Sequence, residues 1–145
     1  MGILQNKAIR NKTAADLLHE NSLYPSSVHC AYYACFQLSK HLIIYHFGKT
    51  DREIEIVVRK KSEDLVKRKL GGYTVHNYIL DCIENDLSNN EKTHEDARTL
   101  SNSMGELRRL RNKSDYKEVD ISQDKSREAI EYCLSIFELL NKCYP

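Results

Sequence analysis

Proline and glycine are scarce in this chain, with two and five among 145 residues. So few breakers and turn formers favour long uninterrupted helices over a turn-rich sandwich. No apolar run approaches the roughly 18 residues that span a bilayer, and the N-terminus lacks the basic-then-apolar layout of an export signal, so a cytoplasmic protein is expected. The five cysteines (Cys30, Cys35, Cys82, Cys133, Cys143) form no CxxC pair. Their odd number in a chain without an export signal points to reduced, mostly buried small side chains. HExxH and paired i, i+4 histidines are missing too, so neither a metal site nor a cofactor is expected. A formal charge of +1 supplies no bulk attraction to nucleic acid or membrane. Any anion site must come from local clustering.

Hydrophobic residues make up 41% and charged residues 30%, the composition of one soluble globular domain. Periodicity predicts a first helix from Ile3 to about Asn21, with Ile9, Ala14, Leu17 and Leu18 on its apolar face. After a tight connection at Ser22 to Pro25, a second helix runs to about Phe47. Val28, Ala31, Tyr32, Cys35, Leu38 and Leu42 follow helical spacing, and Tyr33, Phe36, Ile43 and Phe47 line a second flank. So wide an apolar arc predicts a central helix, touching neighbours on two sides or a partner subunit. Residues 49–72 fit either one helix or a short strand-like run followed by a helix. Gly71-Gly72 breaks the chain, and Thr74 caps a short helix through about Asn85 carrying Val75, Tyr78, Ile79 and Cys82. A polar loop leads to a helix over about Thr93 to Tyr116. Ser122 caps the last helix, from about Gln123 to Cys143. The expected fold is all-α, an up-and-down helical bundle of four to five main helices in one domain over residues 1–145.

The segment "ELRRLRNKSDY" places three arginines near one helix end. At about 100° per residue, Leu100, Met104, Leu107 and Leu110 form the apolar stripe, and Arg111 and Asp115 fall on it. Arg109 points to water and Arg108 sits at the border. Attraction of cations to a helix C-terminus, about 0.3–1 kcal/mol each, accounts for Arg108, Arg109 and Lys113 without any function. It does not account for Arg111, because an inward guanidinium needs a partner. Two explanations stay open: an ion pair with Asp115 that closes the bundle end, or a ligand-facing role.

"AADLLHENSLYPSSVHCAYYACFQLSKHLI" resembles the first half of a HEPN domain (higher eukaryotes and prokaryotes nucleotide-binding). "ELRRLRNKSDYKEVDISQDKSREAIEYCLSIFELL" resembles its second half, and "YTVHNYILDCI" the His-bearing segment between them. The resemblance covers most of the chain except residues 49–72. It implies a helical bundle that usually forms a homodimer around a shared cleft. Members include metal-independent endoribonucleases, often toxins beside a nucleotidyltransferase antitoxin, and others that only bind RNA, nucleotides or proteins. The nucleolytic signature is an Arg, a polar neighbour, and a His four to six residues on. Arg111 and Asn112 match the first two. Tyr116 stands where the His belongs, and no histidine follows Arg111.

That departure matters chemically. Metal-free RNA cleavage needs a base for the 2′-hydroxyl proton, an acid for the leaving oxygen and positive charge for the phosphorane. Arginine supplies charge and a two-pronged grip on phosphate. Tyrosine, with a reference pKa near 10, is only about 0.1% ionised at neutral pH and is a poor base. His76 and His29 are the histidines placed to face Arg111. His19, His41, His46 and His94 fit surface or helix-end positions. The run "RKKSEDLVKRK" (Arg59 to Lys69) fits a solvated helix face or a phosphate-tracking patch, with no aromatic residue interleaved for stacking and Tyr73 and Tyr78 beyond its end.

Three functions follow. The first is an RNA- or nucleotide-binding module, non-catalytic or weakly catalytic, possible in a toxin–antitoxin or defence pair. In it Arg111, Asn112 and Arg108 hold phosphate and Tyr116 donates a hydrogen bond. The second is a metal-independent endoribonuclease using Arg111 with Tyr116 or His76. The third is a structural helical adaptor.

Overall fold

A computed structural model of the chain describes residues 2–145. It contains six helices and, among the described residues, no strand. In chain order they are α1 (Ile3–Glu20), α2 (Tyr24–Tyr45), α3 (Asp51–Lys67), α4 (Val75–Ser88), α5 (His94–Tyr116) and α6 (Gln123–Cys143). The helix starts carry recognisable chemistry. Thr50 and Glu53 form a reciprocal capping box at α3, Thr74 and Asn77 do the same at α4, and Ser122 accepts from the Lys125 N–H at α6.

Helix α2 is central, packing against α1, α4, α5 and α6. Val28, Ala31, Tyr32, Ala34, Cys35 and Ile43 are essentially inaccessible to water. The first stripe of α2 is therefore covered within the chain, while Tyr33, Phe36 and Phe47 on the second flank are half-buried. Each buried aliphatic side chain contributes about 1.5–3 kcal/mol relative to exposure, so α2 anchors the core.

Helix α1 differs from its expected face. Ile9 and Leu17 are exposed, and the buried positions are Ala8 and Ala15. The reason is close approach: the Ser27 hydroxyl of α2 donates to the Ala15 carbonyl at 2.7 Å, a separation that leaves room only for small side chains between the helices. Residues 49–72 resolve into one helix, so the strand-like alternative is not realised. The β-branched cluster lowers helix propensity only weakly, and the capping box with acidic Asp51 and Glu53 in the first turn favours the helix. Helix α3 packs chiefly on α4 and buries only Ile54. Gly71, at φ +83°, reverses the chain after it, a conformation that residues with a Cβ avoid.

None of the five cysteines is paired; Cys35 and Cys133 are buried and the other three half-buried. Among the described residues, no helix is long and apolar enough to cross a membrane.

Candidate functional site

Arg111 sits one turn beyond Leu107 on the buried stripe of α5 and is 6% exposed. The rotation that carries Leu100, Met104 and Leu107 inward carries it inward as well. Its guanidinium does not meet a carboxylate. The central carbon lies 4.6 Å from the centre of the Tyr32 ring, 5.8 Å from that of Tyr33 and 5.6 Å from that of Tyr116. Nη1 donates to the Tyr116 hydroxyl at 3.3 Å, whereas Nε is buried with no hydrogen-bond partner. Aromatic faces attract a desolvated cation by up to about 2 kcal/mol each, which offsets only part of the several kcal/mol lost on taking the charge out of water. The unpaired Nε adds a penalty of about 1–3 kcal/mol.

The expected Arg111–Asp115 ion pair does not form. Asp115 lies in the last turn of α5, where its carboxylate pairs with His29 of α2 at 2.8 Å. Ser114 donates to the Pro25 carbonyl at 3.0 Å in the same region. Together these contacts tie the end of α5 to the start of α2, and they leave Arg111 without an acidic partner.

His76 enters from the second residue of α4. Its Nδ1 is hydrogen-bonded to the Tyr32 hydroxyl, and its ring lies 4.1 Å from the Phe36 ring at 18°. Burial, reinforced by the positive charges of Arg108 and Arg111, pushes its pKa down to about 4. The imidazole is therefore neutral at physiological pH. Burial raises the Tyr32 pKa, with Arg108 and Arg111 pulling the other way. His29, the other histidine expected near Arg111, lies at the flank against Tyr33, with ring centres 4.7 Å apart.

Asn112 and Arg108 do not join the guanidinium on this face. They line an open concavity of about 650 Å³ on the adjoining flank of α5, with Gly105, Arg109, Lys113, Lys117 and Val119. Arg109 is engaged by Glu106 at 2.5 Å, while among the described residues no ion pair involves Arg108, Lys113 or Lys117. Arg108 is the link between the two faces, since it borders the concavity and also acts electrostatically on His76 and Tyr32. Tyr116 is 71% exposed, and its hydroxyl accepts from Arg111 while keeping its own proton for a ligand.

Other residues settle elsewhere. Tyr73, expected to lie beyond the basic run, folds back so that Lys61 Nζ stands 4.2 Å from its ring centre. Its hydroxyl donates to Asp81 at 2.5 Å, which makes it a clasp between α3 and α4 instead of a stacking platform. His19 is hydrogen-bonded to Ser126 at 2.8 Å across α1 and α6. The Nδ1 of His41 is buried beside Gly2, not at the surface. No cluster of three His, Cys, Asp or Glu side chains suited to a metal ion occurs among the described residues. The aromatic seat of Tyr32, Tyr33 and Phe36 was visible in sequence only as an apolar stripe; adjacent tyrosines on a core helix were its one signal.

No family model matches the chain, and neither a curated protein nor a solved structure matches it at a significant level.

Proposed function

We propose that the chain is a HEPN-like RNA- or nucleotide-binding module, non-catalytic or weakly catalytic, in which Arg111 receives a phosphate. One observation supports this above the others: a buried guanidinium with an orphaned Nε and, among the described residues, no carboxylate within ion-pair reach. A structural arginine would be expected to close on an acid, and Asp115 is taken by His29. A phosphate approaching the less buried Nη atoms of the guanidinium brings the missing charge and acceptors for those donors. Arg108, Lys113 and Lys117 then lie along the path of a continuing phosphate backbone, and Asn112 offers a neutral contact beside them.

The endoribonuclease reading has one observation in its favour, the approach of His76 to Arg111 through Tyr32. A pKa near 4 makes that imidazole a weak base and leaves almost none of it protonated to serve as an acid. Binding is the better-supported function. Membership of a toxin–antitoxin or defence pair with a nucleotidyltransferase, and assembly as a homodimer, follow from the resemblance. The dimer is checked by sedimentation, where a monomer at tens of micromolar removes the shared cleft.

The deciding experiment is incubation of the purified chain with labelled total RNA in EDTA, followed by both a binding and a cleavage readout. Retention that is lost in Arg111→Ala and kept in Arg109→Ala supports the module. Arg111-dependent cleavage replaces it with the nuclease. Equal retention by all three proteins leaves Arg111 a packing residue and the chain a helical adaptor.

A further inference from the structure

Tyr32 is 1% exposed, so its hydroxyl proton must find an acceptor within the protein. Its hydrogen-bonding partner is Nδ1 of His76. The phenol oxygen also faces the positive charges of Arg111 and Arg108, which favour lone pairs turned toward them and disfavour a proton there. Of the two neutral imidazole tautomers, only one satisfies both groups. If Nδ1 carried the proton it would donate to Tyr32, and the tyrosine O–H would be stranded in a buried, cationic setting. If Nε2 carries it, Tyr32 donates to the Nδ1 lone pair and the buried Tyr32 O–H is satisfied. The two rings are parallel to within 6°, with centres 5.5 Å apart, an orientation compatible with a phenolic O–H directed at the ring-nitrogen lone pair.

Nε2 of His76 makes no hydrogen bond among the described residues, and it is not one of the sealed-off atoms lacking a partner. Phe36 covers one face of the imidazole at 4.1 Å and restricts its rotation. The remaining edge of this ring is thus a fixed N–H, on an imidazole that shares Tyr32 and Tyr33 as neighbours with the Arg111 guanidinium.

We infer that Tyr32 is a positioning residue whose hydroxyl holds the His76 proton on Nε2, making His76 a second donor beside Arg111 for an acceptor-only phosphoryl oxygen of the ligand. This rests on the phosphate-binding reading and sharpens it. A seat of two donors with no free lone pair accepts a phosphodiester oxygen and has nothing with which to take a 2′-hydroxyl proton. It also explains how the chain dispenses with a histidine after Arg111: the second donor comes from α4, aimed by α2.

The test uses the full chain labelled with 15N-histidine. Long-range proton–nitrogen correlation reads the His76 tautomer directly, and the expected result is Nε2–H in the free protein and a mixed pattern in Tyr32→Phe. A short fluorescent single-stranded RNA in EDTA then reads the donor. His76→Gln, whose amide overlays the Nε2 position, is expected to bind within about twofold of wild type. His76→Asn, which overlays Nδ1 instead, is expected to bind roughly tenfold more weakly. An Nδ1–H tautomer in the wild type overturns the relay. Equal affinity of the Gln and Asn variants, with Arg111→Ala still weak, overturns the donor role and leaves RNA binding standing. Loss of all Arg111-dependent affinity overturns both. Should Tyr32→Phe fail to fold, the wild-type tautomer and the His76 pair decide the matter.

Discussion

The guanidinium carbon of Arg111 stands 4.6 Å from the centre of the Tyr32 ring, with Nε buried and unpartnered. This arrangement lowers stability relative to an apolar side chain of the same length. Arg111→Met keeps the stem packed, removes the buried charge and removes the orphaned donor. The expected outcome is unchanged or higher stability, by about 0–2 kcal/mol, read as a rise of up to several degrees in Tm. RNA affinity is expected to fall at least tenfold in the same variant. Opposite movements of Tm and affinity are the signature of a residue kept for a ligand. A drop in both marks Arg111 as structural.

The bundle was legible in the sequence where local chemistry decides it. Thr74 and Ser122 cap α4 and α6 as their sequence contexts indicate. The inward turn of Arg111 also followed from helix geometry alone. What could not be read were the relationships set by close approach between elements. Alanine scores weakly on any apolar scale, yet Ala8 and Ala15 are buried and Ile9 and Leu17 are not, because α1 and α2 nearly touch. Asp115 shares the stripe of Arg111 by rotation, but it falls in the last turn of α5, within reach of His29 on another helix. The aromatic seat is likewise tertiary: α2 supplies the rings, α5 the cation and α4 the imidazole.

His76 makes stability depend on pH in a defined window. Its ordinary value is 6.5, and burial beside Arg108 and Arg111 lowers it to about 4 in the folded chain. Between those values the unfolded chain takes up a proton that the folded chain refuses. Stability is therefore complete above about 6.5 and lost as pH falls toward about 4. Partial exposure of the ring limits the loss to about 1–2 kcal/mol. Urea unfolding at neutral pH and near pH 4.5 is expected to show this decrement in the wild type and a smaller one in His76→Gln. Equal decrements in the two proteins would place the acid sensitivity elsewhere.

Helix α3 buries one side chain, Ile54, with Val58 packed beside it, and is otherwise held by surface contacts, the Tyr73 clasp and the Lys40–Asp51 ion pair. Truncating a core isoleucine normally removes about 2–5 kcal/mol, but α3 touches the bundle chiefly through α4. Ile54→Ala is expected to release α3 as a unit rather than melt the core. Hydrogen exchange over residues 51–67 should accelerate by roughly tenfold or more while Tm falls by only a few degrees. A uniform acceleration across α2 and α5 would show instead that α3 belongs to the cooperative core.

Lys113 and Lys117 border the open concavity, and among the described residues neither takes part in an ion pair, whereas Arg109 beside them is held by Glu106. If a single-stranded phosphate backbone leaves the Arg111 seat along this flank, each free lysine releases about one counterion on contact. The dependence of log affinity on log salt should then flatten by about 0.7 per lysine removed. Lys113→Gln with Lys117→Gln is expected to lower the slope by about 1.4 without abolishing binding, and Arg109→Gln to change it by less than half of one contact. Arg111→Met should differ in kind, because a desolvated contact is weakly screened: affinity drops at every salt concentration. Parallel salt plots for the wild type and the lysine double variant would route the backbone away from α5.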